Sequence, residues 1–335
     1  MADLVAPTPG PAGGAVGLVA GFDVGGTKIL GRVLDPTDPC QALAHSRTDT
    51  PRGATAVVEA LAAAVADLDA QLAAQGRPGL VGVGVGIAGL VDRKGVLRVA
   101  PNLPGIVDLD VGTAVADATG LSVVVDNDAN CATVAEHRLG AGAGASDVVL
   151  VTLGTGIGGG VVIGDRLVRG ASGFAGEPGH MVVDPGGPPC PCGRRGCWER
   201  FASGSGLGRL GRDAAEAGRV PGVVARAGAG PDSVRGEHVT QAAADGDPDA
   251  LEVLAQFAWW VALGISNLEN LLDPEVVIIG GGLAEAGDLL LAPTRAAYET
   301  LALGIEHRPP VRIVGAALGP DAGAIGAGLL ARDEA

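Results

Sequence analysis

The chain has 335 residues and a net charge of −15, from 23 Lys and Arg against 38 Asp and Glu. A hydrophobic fraction of 47% excludes a disordered chain, while the acidic balance and a total of three Trp, one Tyr and four Phe exclude a basic or base-stacking nucleic-acid binder. Its 57 glycines, about 17% against a usual ~7%, have no collagen-like period, so the information lies in where they cluster.

In chain order, residues 1–16 read as a flexible tail. The uncharged stretch 4–22 holds Pro7, Pro9 and Pro11 and five glycines, too many breakers for a spanning helix, and no basic residue precedes it. The uncharged run 80–91 is too short to span. No membrane partner and a soluble, cytoplasmic protein are therefore expected. Apolar strands are predicted over 16–22 and 29–34, separated by a turn at Gly25-Gly26. An amphipathic helix follows over 55–75, carried by Val58, Leu61, Val65, Leu68 and Leu72 and stopped by Gly76 and Pro78. Residues 80–87 alternate Val with Gly, and Gly inside a strand marks close approach by a neighbouring backbone or ligand. A short strand at 122–125 runs into Asp126-Asn127-Asp128 and a helix over 129–139.

The pattern then restarts. Strands at 148–153 and 160–163 flank Gly154-Thr155-Gly156, echoing Gly25-Gly26-Thr27 between the first two strands, so the chain reads as a duplicated α/β unit. Residues 219–236, rich in Gly, Ala, Pro and Arg, read as a surface loop. A long helix over 247–272 shows Leu251, Leu254, Ala258, Val261, Ile265, Leu268 and Leu272 on one face, and Pro274 stops it. A strand at 276–279 leads into Gly280-Gly281-Gly282, and a short helix over 321–331 ends the chain.

Three glycine turns suit phosphate cradles, where backbone N–H groups converge on an anion and a Thr hydroxyl adds a donor. Asp23 beside the first is placed to hold Mg²⁺. None is a Walker loop, because G-x-x-x-x-G-K-[ST] does not occur. His180, Cys190, Cys192 and Cys197 fall within 18 residues and make a complete Cys₃His set, the composition of a closed structural zinc site. An odd total of five cysteines fits a disulfide framework poorly. Asn102, Asn127, Asp128, Glu177, His180 and Glu199 are acidic, amide and imidazole groups of the kind a polyol needs. Asn127 or Asp128 suits equally the N-cap of the following helix, worth about 1 kcal/mol, and both roles stay open at this point.

Five motifs in this order are similar to those of the ROK family of sugar kinases, its ATP-dependent bacterial glucokinases in particular. They are Asp23-Val24-Gly25-Gly26-Thr27-Lys28, Pro101-Asn102-Leu103, Asn127-Asp128-Ala129-Asn130, Gly176-Glu177-Pro178-Gly179-His180, and the cysteine run from Cys190 to Glu199. The resemblance covers residues 17–330. It implies an actin-like, ribonuclease-H-like α/β fold with two domains around a cleft: 17–130, joined by 320–335, and 131–319 with the zinc loop at 180–197. It implies ATP, Mg²⁺ and structural Zn²⁺ as cofactors, glucose as substrate and a homodimer or homotetramer. Asp128 would be the base on the sugar 6-hydroxyl. Asn102, Asn127, Glu177, His180 and Glu199 would bind hydroxyls. Asp23, Gly25, Gly26, Thr27 and Lys28, with Thr155 and Gly156, would surround phosphates and Mg²⁺, and Gly280, Gly281 and Gly282 would lie near adenosine. Kinases for other hexoses and a non-catalytic sugar-responsive regulator are the alternatives. The 22 residues before Asp23 leave the regulator no room for a helix-turn-helix domain. One departure is Pro178, where the family has an aliphatic residue; it removes a backbone donor.

Overall fold

The computed structural model describes residues 17–334, so the expected tail lies outside the described residues. The chain opens with β1 (Leu18–Val24), β2 (Lys28–Leu34), β3 (Ala42–Asp49), α1 (Ala54–Ala74) and β4 (Leu80–Ile87). A small antiparallel sheet of β5 (Leu90–Val91), β6 (Val96–Val99) and β7 (Val107–Asp110) follows, then α2 (Val111–Thr119), β8 (Ser122–Asn127) and α3 (Asp128–Leu139). Next come β9 (Val148–Leu153), β10 (Ile157–Ile163) and β11 (Arg166–Leu167), and after a long loop α4 (Glu199–Ala202), α5 (Gly204–Glu216), α6 (Pro221–Ala227), α7 (Gly236–Ala244) and α8 (Pro248–Leu272). The chain finishes with β12 (Val276–Gly280), α9 (Asp288–Leu301), β13 (Arg312–Gly315) and α10 (Ala322–Glu334).

The expected duplication is explicit in the topology. One five-stranded sheet has the order β3-β2-β1-β4-β8 and the other β11-β10-β9-β12-β13. In each, the first three strands of the unit are antiparallel and the last two run parallel to the first. This is the actin-like, ribonuclease-H-like α/β arrangement. The glycines of β4 have the predicted use. A Cβ at Gly84 would overlap the Ala327 carbonyl, and one at Gly21 the Ala324 carbonyl, so α10 lies directly on the sheet backbone. Gly86 faces Cys131 of α3 in the same way, while Val83, Val85 and Ile87 alternate to the opposite face and bury against Val57, Leu61 and Leu68 of α1.

Three expectations need correction. Residues 219–236 are not a surface loop: they form α6 and a 3₁₀ turn at Pro231–Ser233, with Val223 and Val234 buried in the second core. Pro221 sits at the helix start, where its missing N–H costs nothing, and Gly228 ends the helix at φ 77°. Both residues punctuate a helix there rather than break one. The last helix is longer than expected and is buried from Ala322 to Ala331. Finally, α8 is long and apolar enough by composition to cross a bilayer, the one such helix among the described residues, although no such segment was expected. Its apolar residues serve the core instead, with Val253, Phe257, Val261 and Ile265 buried and Leu251 exposed.

Candidate active site

The two Gly-Thr turns line different cavities and are held differently. In the first, the Gly25 N–H donates to the Lys28 carbonyl at 3.0 Å, and the Thr50 hydroxyl donates to the Gly25 carbonyl at 2.7 Å. Gly26 lies against the backbone of Asn102, which brings that predicted sugar ligand to the turn. In the second, the Gly154 N–H donates to the Gly156 carbonyl at 3.0 Å. The start of α5 braces it, with the Gly204 N–H on the Gly154 carbonyl at 2.8 Å and the Ser205 hydroxyl on the Thr155 carbonyl at 2.9 Å. Glu199, at the start of α4, accepts the Ile157 N–H at 3.2 Å, and its carboxylate fills the space that a side chain at Gly156 would need.

Asp128 opens α3 where β8 ends. Burial raises its pKa, opposed by the Ala129 N–H, which it accepts at 2.9 Å, and by the Asn127 side chain. Burial, together with the nearby Asp128 carboxylate, pushes Asp23 up to about 7 against a smaller pull from Lys28. Burial also raises Glu177, against the pull of His180 and with the help of Asp128 and Glu199. These mutual fields bring Asp23, Asp128, Glu177, Glu199 and His180 near one another, although they come from β1, the start of α3, the loop after β11 and the start of α4. Two carboxylates poised above their usual range are what proton transfer near neutral pH requires. Asn127 is largely committed to the fold: its Oδ1 accepts from the Ala129 and Asn130 N–H groups, and its Nδ2 donates to the Gly89 carbonyl at 3.0 Å. It caps α3, and its remaining amide N–H faces the Asp128 carboxylate.

His180, Cys190, Cys192 and Cys197 converge, with one ligand atom from each within 4.8 Å of the others. The Cys192 and Cys197 sulfurs are 3.5 Å apart and Cys190 Sγ is 3.9 Å from His180 Nδ1. A tetrahedral ion with Zn–S bonds of ~2.3 Å spaces its sulfurs at roughly 3.8 Å, so the donor set fits. The Arg194 N–H is the chief cause that draws Cys192 down to about 6, whereas burial raises Cys190 and Cys197. Trp198 anchors the loop: it is fully buried, donates from Nε1 to the Trp260 carbonyl at 2.7 Å and lies flat on Gly264 of α8.

A cavity of about 1120 Å³ adjoins the second turn. Thr155 and Gly282 line it. Gly280 ends β12 and Gly281 packs at φ 80° on the Leu153 backbone, so neither of these two reaches it. Sequence reasoning missed its main polar wall: Ser205, Arg209 and Arg212 from α5, with Arg235 and Gln241 from the α7 region. Ser203-Gly204-Ser205-Gly206 was the available signal. Ser203 caps α5 by accepting the Gly206 N–H at 3.2 Å, and that cap aims the helix start at the turn.

Duplicated ribonuclease-H-like sheets, each opening on a Gly-Thr turn, and a Cys₃His loop beside clustered carboxylates define a class of sugar-kinase-like proteins. The profile described as the ROK family matches residues 19–334, and the chain belongs to that family. It is 39% identical over 321 residues to a glucokinase from Streptomyces coelicolor, covering 95% of this chain and 98% of that one. An N-acetylmannosamine kinase from Escherichia fergusonii is 32% identical over 316 residues, covering 93% and 98%. A ROK family glucokinase from Streptomyces griseus, solved with glucose and AMPPNP, superposes with a TM-score of 0.82 at 39% identity, covering 95% of this chain and 100% of that one.

Proposed function

We propose that this protein is an ATP-dependent glucokinase, transferring the γ-phosphoryl group of ATP to the 6-hydroxyl of glucose. The observation that carries this reading is the placement of Asp128, buried at the start of α3 where β8 ends, close enough to Asp23 and to Glu177 for its carboxylate to raise both. The hydroxyl oxygen attacks the γ-phosphorus in line, its proton passes to the Asp128 carboxylate, and ADP leaves. Glu177, Glu199 and His180 accept from or donate to sugar hydroxyls, Asn102 closes the site from the first turn, and Asn127 presents its amide to the sugar beside Asp128. Gly25, Gly26, Thr27, Lys28, Thr155 and Gly156 surround the phosphates, and the cavity beside Gly282 takes the adenosine. Mg²⁺ held by Asp23 would neutralise phosphate charge as it develops. Zn²⁺ on the three cysteines and His180 Nδ1 would lock that imidazole, leaving Nε2 for a sugar hydroxyl.

In this reading the two sheets with their helices are the two lobes, 17–130 with 320–334 and 131–319. The enzyme is soluble, cytoplasmic and a homodimer or homotetramer, which light scattering decides. The similarity to an N-acetylmannosamine kinase supports one alternative, another hexose as substrate. An ADP-release assay with Mg²⁺ and zinc tests the proposal against glucose, mannose, fructose, N-acetylglucosamine and N-acetylmannosamine. Fastest turnover with glucose supports it, a preference for another sugar reassigns the substrate, and no turnover with any sugar overturns the kinase reading.

A further inference from the structure

One ion pair outside the cluster described above joins the two sheets at their edges. Asp126, on the edge strand β8, is almost fully buried, and its Oδ2 accepts from Arg169 Nε at 2.6 Å. Arg169 follows β11, the edge strand of the other sheet. The second carboxylate oxygen, Oδ1, accepts from the Asn127 N–H and from Asn130 Nδ2, both at 2.8 Å. Asp126 thus ties Arg169 to the first turn of α3, which carries Asp128.

Arg169 also begins the segment that delivers Glu177 and His180. This strap crosses to the small antiparallel sheet, where Arg93 Nε donates to the Gly170 carbonyl at 2.6 Å and the Arg93 N–H to the Ser172 carbonyl at 3.2 Å. Its far end returns to the same place. Gly176, at φ 94°, packs on the Gly159 carbonyl and faces Asn130 Oδ1, a buried oxygen with no hydrogen-bond partner in the protein. Both ends of the strap therefore meet the Asp126–Asn130 pair.

We infer that Arg169 is a positioning residue for the phosphoryl acceptor: through Asp126 it sets the spacing between Asp128 and the strap residues Glu177 and His180. The inference rests on the kinase reading above. A misplacement of about 1 Å between reacting groups costs up to about 100-fold in rate, and removing one partner of a buried pair leaves an uncompensated charge beside the base. The test compares Arg169→Met, Arg169→Lys and the double variant Arg169→Met with Asp126→Asn. The expected result for Arg169→Met is a rise of about tenfold in hexose KM and a fall of about tenfold in kcat, with nucleotide KM unchanged. Arg169→Lys keeps the charge and should recover part of both, as should the double variant, which leaves no unpaired carboxylate. Hexose KM and kcat near wild type in Arg169→Met, or equal changes in both substrates' KM, overturn the inference. Amide hydrogen exchange separates this from failure of the kinase reading. Should the wild type phosphorylate no hexose, that reading falls and exchange decides the tie alone. Joint loss of protection at 127–131 and 170–177 in Arg169→Met upholds it; unchanged protection at either overturns it.

Discussion

The two Gly-Thr hairpins share a topology and differ in what surrounds them. The β1–β2 turn carries a carboxylate, Asp23, on its own strand and is pinned by one hydroxyl from Thr50. The β9–β10 turn carries no acid and is braced from outside, by Glu199 of α4 and the start of α5. Duplication therefore supplied two equal frames, and the chemistry sits in unequal additions to them. The first frame brings charge for a cation, and the second brings rigid backbone donors and a cavity.

The sharpest way to break this comparison is at the base where the two frames meet. Asp128→Asn should lower turnover by about 10²- to 10⁴-fold while hexose affinity stays near wild type, read by steady-state kinetics and calorimetry. Asp23→Asn should also abolish most turnover, and with an opposite effect on stability. Folded Asp23 keeps its proton up to about pH 7 and the unfolded residue loses it near 3.8, so its charge opposes folding at pH 8 and has no effect at pH 3. The ligand-free variant should gain up to about 4 kcal/mol at about pH 8, at about 1.4 kcal/mol per pKa unit, and nothing in acid, as denaturant titration would report. Mg²⁺ affinity of the wild type should fall as pH drops through about 7. Stripping metal from the Cys₃His loop should raise hexose KM by about tenfold or more through His180 and Glu199, with nucleotide KM little changed. The smallest effects compare the turns directly. Gly156→Ala should push the Glu199 carboxylate aside and raise hexose KM by about tenfold. Gly25→Ala meets nothing in the protein nearer than the Lys28 carbonyl at 3.6 Å, so stability and hexose KM should stay near wild type and any loss should fall on nucleotide KM.

Much of this frame is legible in the chain. The turns show because Gly and Thr recur between apolar strands at equivalent places, and the metal loop shows because its four donors are local in sequence. The ambiguity of Asn127 is real, since one side chain caps α3 through its oxygen and turns its amide toward Asp128. The helix at Pro221–Ala227 was hidden because its Pro and Gly are end signals that composition alone reads as breakers. The arginines of the large cavity were hidden for another reason. They come from helices brought together only by the packing of α5 on α7, which no local pattern announces. The Arg169–Asp126 pair is of the same kind, spanning 43 positions and two sheets.

The helix α10 has a consequence for how the protein is made. Its residues 322–331 are buried, and they cover the face of β1 and β4 through backbone contacts at Gly21 and Gly84. During synthesis the first sheet is complete at Asn127, some 195 residues before its cover begins at Ala322, and synthesis runs at about 5–20 residues per second. Until then Val19 and Leu34, which share a buried cluster with α10, lack that cover, so the unfinished face is apolar and open to a wrong partner until synthesis ends.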